Sequence, residues 1–156
     1  MKASADTTAA SPRNKAMDLL ARREHSAAEL RAKLVARRFD RDDVDRAVEQ
    51  LIDEGLVSDV RFAEAFVAAR IRKGQGPVRI RGELARRGLA PELIEAQLDR
   101  VDIDWYDMAR SVRSRKFGPE QPTQIRERAR QSRFLQQRGF TGEQIARAFE
   151  NDRQAD

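Results

Sequence analysis

Hydrophobic residues recur along this chain in three sets that lie about fifty residues apart, with the same spacing inside each set. The sets are Leu34, Phe39, Val44 and Val48; Leu84, Leu89, Ile94 and Leu98; and Leu135, Phe140, Ile145 and Phe149. Recurrence of a helical pattern at this period indicates one supersecondary unit that is used three times. Such an array has a long surface, which suits a partner that is also long.

Start and stop signals divide the first unit into three predicted helices. The first is predicted from about Lys15 to His25, and Ser26 with Glu29 forms the pattern of a capping box for the second. Asp40 is predicted to cap the third helix. Gly55 is predicted to end it, with Leu56 packing back onto the last turn.

The same reading divides the second and third units into three helices each. The residues predicted at helix starts are Pro77, Pro91, Asp104, Thr123 as an N-cap, and Thr141, which forms a second capping box with Gln144. Alanine, leucine, arginine and glutamate are abundant, and this composition favours helix throughout. The predicted fold is all-α, an elongated array of three tandem three-helix repeats that resemble helix-turn-helix units. The predicted segments are a disordered tail over 1–14 and repeats over 15–57, 58–103 and 104–152.

A closing turn recurs after the second helix of each unit. It reads Arg37-Arg38-Phe39, then Arg87-Gly88-Leu89, then Arg138-Gly139-Phe140. Glycine after a helix adopts a positive φ without strain, so Arg38 implies either a small strain or a different cap. The recurring arginine has a structural explanation, because a cation is favoured near a helix C-terminus.

Charge is distributed unevenly among the three units. Residues 15–57 carry nine basic and ten acidic groups, a net of −1; residues 58–104 carry nine and eight, a net of +1; residues 105–156 carry eleven and seven, a net of +4. A basic surface suggests a polyanionic partner, whereas an acidic surface suggests a protein contact. The alternative is an ordinary solvated helical surface, because such surfaces are commonly this charged.

Arginine-rich helices supply the candidate binding residues, since arginine suits contacts to phosphate and carboxylate. Arg126, Arg130 and Arg133 share one helix face by their spacing, with Glu127 as the acid in that helix. The full candidate set is Arg79, Arg81, Arg86, Arg87, Arg110, Arg113, Arg115, Lys116, Arg126, Arg130, Arg133 and Arg138.

Several classes of protein are disfavoured by what the sequence lacks. It has no cysteine and one histidine, His25, and it shows no phosphate-binding loop, dinucleotide fingerprint or metal-ligand cluster. We therefore expect no enzyme activity, no cofactor and no bound metal. No apolar run is long enough to span a bilayer and the first residues do not read as a signal peptide, so we expect a cytoplasmic protein. Trp105 and Tyr106 fit either a core anchor or a platform for stacking bases.

Two stretches of sequence carry a resemblance to a known family. The run from Ala16 to Ser26, followed by Glu29, Leu30 and Leu34, resembles the opening of RecX proteins. The run from Asp59 to Ala63 resembles the same family, as do Gly74, Gly76, Pro77 and Ile80, then Leu84 and Gly88. The resemblance covers about residues 15 to 152 and departs from the family pattern at Arg38, where glycine is expected.

The resemblance implies a fold and a partner. It implies an all-helical chain of three-helix repeats that binds the RecA recombinase filament on single-stranded DNA and restrains strand exchange, ATPase and coprotease activity. It implies no catalytic residue, and we expect a monomer that contacts single-stranded DNA directly or through RecA. The alternative is a stand-alone DNA-binding protein, because three-helix units can resemble helix-turn-helix domains and arginine-rich faces serve both.

Overall fold

Residues 11–150 are described by the computed structural model, and they form nine α-helices and no strand. The helices are α1 Pro12–Leu20, α2 Ala27–Ala36, α3 Arg41–Asp53, α4 Asp59–Arg72, α5 Pro77–Arg86, α6 Pro91–Arg100, α7 Trp105–Phe117, α8 Ile125–Arg138 and α9 Gly142–Ala148. Within these residues, none of the helices has the length and apolar character that crossing a membrane requires.

Burial of the recurring hydrophobic positions confirms that the helices form three repeats of three. Leu34, Leu84 and Leu135 are each 0% exposed, although they lie about fifty residues apart. All nine other recurring positions are buried or partly buried, with Phe39 and Ile145 each packed at the margin of a core cluster. The period found in the sequence therefore marks equivalent core positions, and the predicted all-α repeat array is confirmed.

The first helix is shifted toward the N-terminus relative to its predicted range. Ser11 is its N-cap and accepts a hydrogen bond from the Asn14 N–H at 3.1 Å, so the helix begins at Pro12 and the predicted tail over 1–14 was drawn too long. The remainder of that predicted tail, residues 1–10, lies outside the described residues. The helix also ends at Leu20 and does not reach His25.

His25 lies in the segment that leads into α2 and is only 1% exposed. Its Nδ1 donates to the Arg23 carbonyl oxygen at 3.0 Å, and its Nε2 accepts from the Lys33 Nζ at 3.1 Å, which is the pattern of a neutral ring. Burial lowers the pKa of His25 below its ordinary value, and the nearby positive charges of Arg23 and Lys33 lower it further. The bond to the Arg23 carbonyl and the charge of Glu29 oppose this shift without cancelling it.

Two of the predicted helix starts have different caps from those expected. Ser26 accepts from the Glu29 N–H at 3.1 Å, but the Glu29 carboxylate pairs with Arg23, so only half of the predicted capping box forms. Burial acts to raise the pKa of Glu29, but the hydrogen bond from Arg23 and the positive charges of Arg23 and Lys33 outweigh it and hold that pKa below its ordinary value. Thr123 is not the N-cap of α8, because that position is held by Gln124, which makes no side-chain cap bond.

The capping box at the last helix is complete. The Gln144 N–H donates to the Thr141 hydroxyl at 3.2 Å, and the Thr141 N–H donates to the Gln144 side-chain oxygen at 2.9 Å. Both halves of the predicted pattern are therefore confirmed at this position.

Two turns show how the backbone leaves a helix. Gly55 has φ of 74° after α3, as predicted, but Leu56 remains 39% exposed and Val57, at 2%, is the residue that packs inward. Arg38 has φ of 68° and is the only residue other than glycine with a positive φ among those described. The strain predicted at Arg38 is therefore present, because a side chain in this region of φ is disfavoured.

The chain divides into two compact units that do not follow the repeat boundaries. The first unit takes the described residues up to Phe66 together with Leu84–Ile94, and the second takes Val67–Glu83 with the described residues from Glu95 onward. The core of the first unit is lined by Ala16, Leu19, Ala27, Leu30, Leu34, Val44, Val48, Leu51 and Val57. The core of the second contains Ala109, Val112, Leu135, Phe140, Ala148 and Phe149, with Trp105 packed against it.

Within the first unit, the start of α2 meets the closing turn of the second repeat. The Ser26 hydroxyl donates to the Arg87 carbonyl oxygen at 2.8 Å. A Cβ placed on Gly88 would lie 2.4 Å from the Cβ of Ala28, a distance that packed atoms do not adopt. The glycine of this closing turn is therefore required by the neighbouring helix as well as by its own φ of 81°.

Within the second unit, the same contact is made by the residues one period later. The Gly76 N–H donates to the Arg138 carbonyl oxygen at 2.7 Å, and a Cβ on Gly139 would lie 2.3 Å from the Cβ of Arg79. We call these two contacts the repeat junctions. In each, the closing turn of one repeat packs against the start of the second helix of the repeat before it.

Candidate functional site

Three helix C-termini of the second unit converge on one cleft. They are the end of α4, the last turn of α7 and the last turn of α8. We call this cleft, which has a volume of about 220 Å³, the basic cleft; it is lined by Arg72, Lys73, Gly74, Val112, Arg115, Lys116, Phe134 and Arg138. Five of these eight residues are cationic and none is acidic, so the cleft is a concentrated positive site.

Cations gather in the basic cleft because helix C-termini favour them. The backbone carbonyl groups at a helix C-terminus carry partial negative charge, which stabilises lysine and arginine in the last turn. The guanidinium of Arg138 makes this contact directly, since its Nη1 donates to the Lys73 carbonyl oxygen at 3.0 Å. The convergence of three such ends thus places like charges together in one cleft.

Phe134 holds two of these cations in place. The guanidinium carbon of Arg138 lies 5.2 Å from the centre of the Phe134 ring, and the Lys116 Nζ lies 5.7 Å from it. The edge-on ring of Phe117 is 5.3 Å from the same ring. Cations at these distances from the ring centre are attracted to its face.

Arg72 and Lys73 are the members of the basic cleft that were not predicted from the sequence. They belong to the second repeat, whereas Arg115, Lys116 and Arg138 were predicted from the third. The run of basic residues at the end of α4 was the signal available in the sequence. No ion pair to Arg72, Lys73 or Arg115 occurs among the described residues.

The outer side of α8 carries a second group of cations. Arg126 and Arg133 are exposed, and within residues 11–150 neither forms an ion pair. Arg130 is different, because it donates to both carboxylate oxygens of Glu127, at 2.8 and 3.0 Å. That pairing lowers the pKa of Glu127 and raises the pKa of Arg130.

Arg113 is not available to a partner, which corrects its prediction as a binding residue. It is 2% exposed and its guanidinium donates to the Ala148 carbonyl oxygen at 3.1 Å and to the Gln131 side-chain oxygen at 3.2 Å. Burial lowers the pKa of Arg113 from its ordinary value. Arg113 lies in a basic stretch of the sequence, but its side chain lies on the face of α7 that packs against the core of the second unit.

The other predicted candidates lie outside the basic cleft. Arg79 pairs with Glu83 at 3.1 Å, and Arg81 pairs with Glu95. Arg110 lies 3.4 Å from Asp107. In the first unit, Arg86 and Arg87 line a separate groove that also contains Lys33 and Glu29, and Arg87 lies over the Phe66 ring at 4.7 Å.

Trp105 and Tyr106 belong to the start of α7. Trp105 packs against the core of the second unit, as the anchoring interpretation predicted. The Tyr106 ring lies 4.3 Å from the Arg147 guanidinium, and its hydroxyl contacts Glu143 at 3.3 Å, so its face is occupied by protein.

Family models match the chain in three consecutive segments. The first RecX three-helix domain matches residues 13–51, the second matches 58–98 and the third matches 102–149. The chain belongs to the RecX family. The three matched segments coincide with α1–α3, α4–α6 and α7–α9, so the family's three domains are the three repeats.

Relatives and solved structures extend this result over most of the chain. The regulatory protein RecX of Halorhodospira halophila is 48% identical over 136 residues, which cover 87% of this chain and 84% of that protein. The RecX of Chromohalobacter salexigens is 43% identical over 152 residues, covering 94% and 99%. The crystal structure of RecX from Lactobacillus salivarius matches with a TM-score of 0.73 at 20% identity, over 88% of this chain and 91% of that one, and so shares the fold.

Proposed function

We propose that this RecX-family protein binds the RecA nucleoprotein filament and inhibits its recombinase, ATPase and coprotease activities in recombination, DNA repair and the SOS response. The observation that carries the proposal is the presence of all three RecX domains, in order, over residues 13–149. The relatives carry the name of a regulatory protein, and the proposed role is accordingly one of binding without catalysis, by a cytoplasmic monomer that needs no cofactor.

Two basic surfaces of the second unit support a partner that contains both protein and nucleic acid. The basic cleft brings five cations together without an acid, and Arg126 and Arg133 lie exposed on α8. A filament of recombinase on single-stranded DNA contains both phosphates and protein carboxylates. We therefore propose that the chain occupies the groove of such a filament and bridges successive subunits.

A time course of RecA ATPase on single-stranded DNA tests the proposal. The protein is added either to preformed filaments or together with RecA before filaments grow. We expect the ATPase rate to fall in both arms; a faster fall in nascent filaments indicates a block of extension, and a fall in preformed filaments indicates disassembly. Unchanged rates in both arms, with protein in excess over RecA, would contradict the proposal.

The basic cleft also favours one alternative, a stand-alone DNA-binding protein. The two functions differ in their dependence on the recombinase. Under the filament proposal, retention of the protein on single-stranded DNA strengthens markedly when RecA and a nucleoside triphosphate are present. Retention that is equally strong without RecA, combined with no effect on the ATPase rate, would favour the alternative.

A further inference from the structure

We propose that the basic cleft binds the phosphodiester backbone of nucleic acid and does not read its bases. This inference rests on the proposed function for the identity of the partner and adds which atoms of the partner the cleft takes. The residues that carry it are Arg72, Lys73, Arg115, Lys116 and Arg138.

The polar side chains of the basic cleft are all hydrogen-bond donors. Lysine and arginine donate and have no acceptor group, and the lining contains no acid, amide or hydroxyl side chain. Two nearby backbone groups already have partners, since the Lys73 carbonyl accepts from Arg138 and the Gly74 N–H donates to the Ile71 carbonyl at 2.9 Å. A ligand that fits such a site is an anion that only accepts hydrogen bonds.

A phosphodiester backbone is such a ligand, whereas a peptide and a base edge are not. Phosphate oxygens accept from lysine as a point charge and from arginine through two N–H groups. A peptide main chain and the edges of the bases present donors as well as acceptors, and the basic cleft has no acceptor side chain to meet those donors. The donor-only lining therefore favours a phosphate backbone over an acidic peptide.

Phe134 does not act as a platform for bases. Its ring is held between the cations of Lys116 and Arg138 and the edge of Phe117, at 5.7, 5.2 and 5.3 Å. Stacking of a base needs an open aromatic face. The volume of about 220 Å³ has room for a phosphate with part of its sugars, because a water molecule takes about 30 Å³.

The test compares two charge-matched double variants of the full chain in the absence of RecA. Lys73→Gln with Arg115→Gln removes two cleft cations that form no ion pair among the described residues. Arg41→Gln with Arg100→Gln removes two exposed cations that do not line the basic cleft and are likewise without ion pairs in the described part of the chain. Binding of a fluorescent oligodeoxythymidylate is measured by anisotropy over a range of salt concentrations, with circular dichroism as the check of folding.

For the cleft variant, we expect the magnitude of the slope of log affinity against log salt to fall by about 1.4, because each lost contact to single-stranded phosphate removes about 0.7. We expect the affinity at 0.1 M salt to fall about 20-fold. The matched control is expected to keep the parent slope and affinity within about twofold, because it removes no phosphate contact. Equal losses in both variants would overturn the inference, since general charge attraction would then be sufficient. Parent-like binding by the folded cleft variant would overturn it as well.

Three competitors identify the ligand chemistry, and a RecA assay separates the inference from the proposed function. We expect an abasic strand to compete as well as oligodeoxythymidylate, and polyglutamate of equal charge to compete poorly. We expect a duplex to compete through the same phosphate chemistry, and the cleft variant to lose affinity for the duplex as it does for the single strand. Strong competition by polyglutamate, or loss of competition by the abasic strand, would contradict the inference. If the cleft variant loses DNA binding while the parent fails to slow RecA ATPase, the cleft assignment stands and the proposed function fails. If the cleft variant binds DNA like the parent while the parent slows RecA ATPase, the cleft assignment fails and the proposed function stands.

Discussion

Arg113 and Arg115 are separated by one residue on α7 but have opposite environments. Arg113 is 2% exposed and bonded to carbonyl and amide oxygens, whereas Arg115 is exposed at the basic cleft. The difference follows from the helical repeat, because a step of two residues turns the side chain by about 200° around the axis. Arginine in a basic stretch therefore serves either the core or the surface, according to its position on the helix.

Replacing Arg113 should destabilise the protein. Arg113→Met keeps the apolar part of the side chain but leaves the Ala148 carbonyl and the Gln131 side-chain oxygen without this buried donor. We expect a loss of about 2–4 kcal/mol in the free energy of unfolding, because unsatisfied buried acceptors are costly. Urea unfolding measures it, with Arg115→Met as the control that should change stability by less than about 0.5 kcal/mol. Equal stability of the two variants would show that Arg113 is not a structural residue.

Arg38 provides a second residue-scale prediction. Its φ of 68° is disfavoured for a side chain, and glycine relieves that strain while adding some freedom to the unfolded chain. We expect Arg38→Gly to raise the free energy of unfolding by about 0.5–1 kcal/mol. Arg37→Gly, at φ of −88°, should lower it instead. Thermal unfolding of both variants measures these changes. A lower free energy of unfolding in both variants would contradict the prediction.

At this scale the sequence predicted positions that depend on local spacing. Leu34, Leu84 and Leu135 were predicted as core and are fully buried, because a helical repeat marks the inward face directly. Arg113 was assigned to a binding surface because charge density alone does not state which way a side chain points. The proximity of Lys73 to the cations of α7 and α8 was not predictable, since it depends on contacts between residues far apart in sequence.

The two repeat junctions are the distinctive packing between elements. In both, a helix start and a closing turn approach so closely that the turn must be glycine. The sequence predicted Gly88 and Gly139 as helix caps, which their positive φ confirms, but gave no sign of the second requirement. Helix starts were predicted less well where a side chain had a competing partner, as for Glu29, which pairs with Arg23.

Alanine substitutions separate the two requirements on glycine. Gly139→Ala meets both a φ of 97° and the Arg79 Cβ at 2.3 Å, whereas Gly55→Ala meets a φ of 74° and no atom within 4 Å. We expect Gly55→Ala to cost about 1 kcal/mol in the free energy of unfolding, from backbone strain alone. Gly139→Ala should cost about 3 kcal/mol or more, since overpacking adds to that strain. Equal costs, measured by urea unfolding, would show that the junction adjusts freely.

His25 makes the entry to α2 sensitive to acid. Its pKa is lowered in the folded protein, so the unfolded chain takes up a proton first as the pH falls through about 6.5. The stability contributed by the neutral ring is therefore complete above that pH and decreases below it, toward the lowered folded pKa. Urea unfolding at pH 7.5 and 5.5 should show lower stability at pH 5.5, and a smaller difference in His25→Gln. A parent protein that is equally stable at both pH values would contradict this prediction.

At the scale of the whole molecule, the two basic surfaces are expected to contact different parts of the partner. Under the proposals above, the basic cleft contacts phosphate, and the exposed cations on the outer side of α8 contact acidic residues of the recombinase. The sequence predicted the repeat number, the helical class and the basic third repeat. It did not separate the two surfaces, because that division depends on which cations are paired or buried in the folded chain.

Charge removal on α8 tests this division. Arg126→Gln with Arg133→Gln keeps helix propensity, so the fold should survive. We expect about a tenfold higher concentration of the double variant to be needed for half-maximal inhibition of RecA ATPase, which corresponds to about 1.4 kcal/mol of lost binding. DNA affinity without RecA should change less than it does in the cleft variant. A double variant that inhibits like the parent would show that this face is only a solvated surface.

Each repeat junction joins residues that the ribosome adds several seconds apart. The Ser26 hydroxyl and its acceptor at Arg87 are 61 residues apart, and the second junction spans Gly76 to Gly139. At about 5–20 residues per second, a ribosome needs about 3–12 s to make sixty residues. Throughout that interval the start of α2 is without the turn that covers it. A nascent chain that stops before Arg87 therefore exposes Ala28 and leaves the Ser26 hydroxyl without its acceptor, even though α2 is already made.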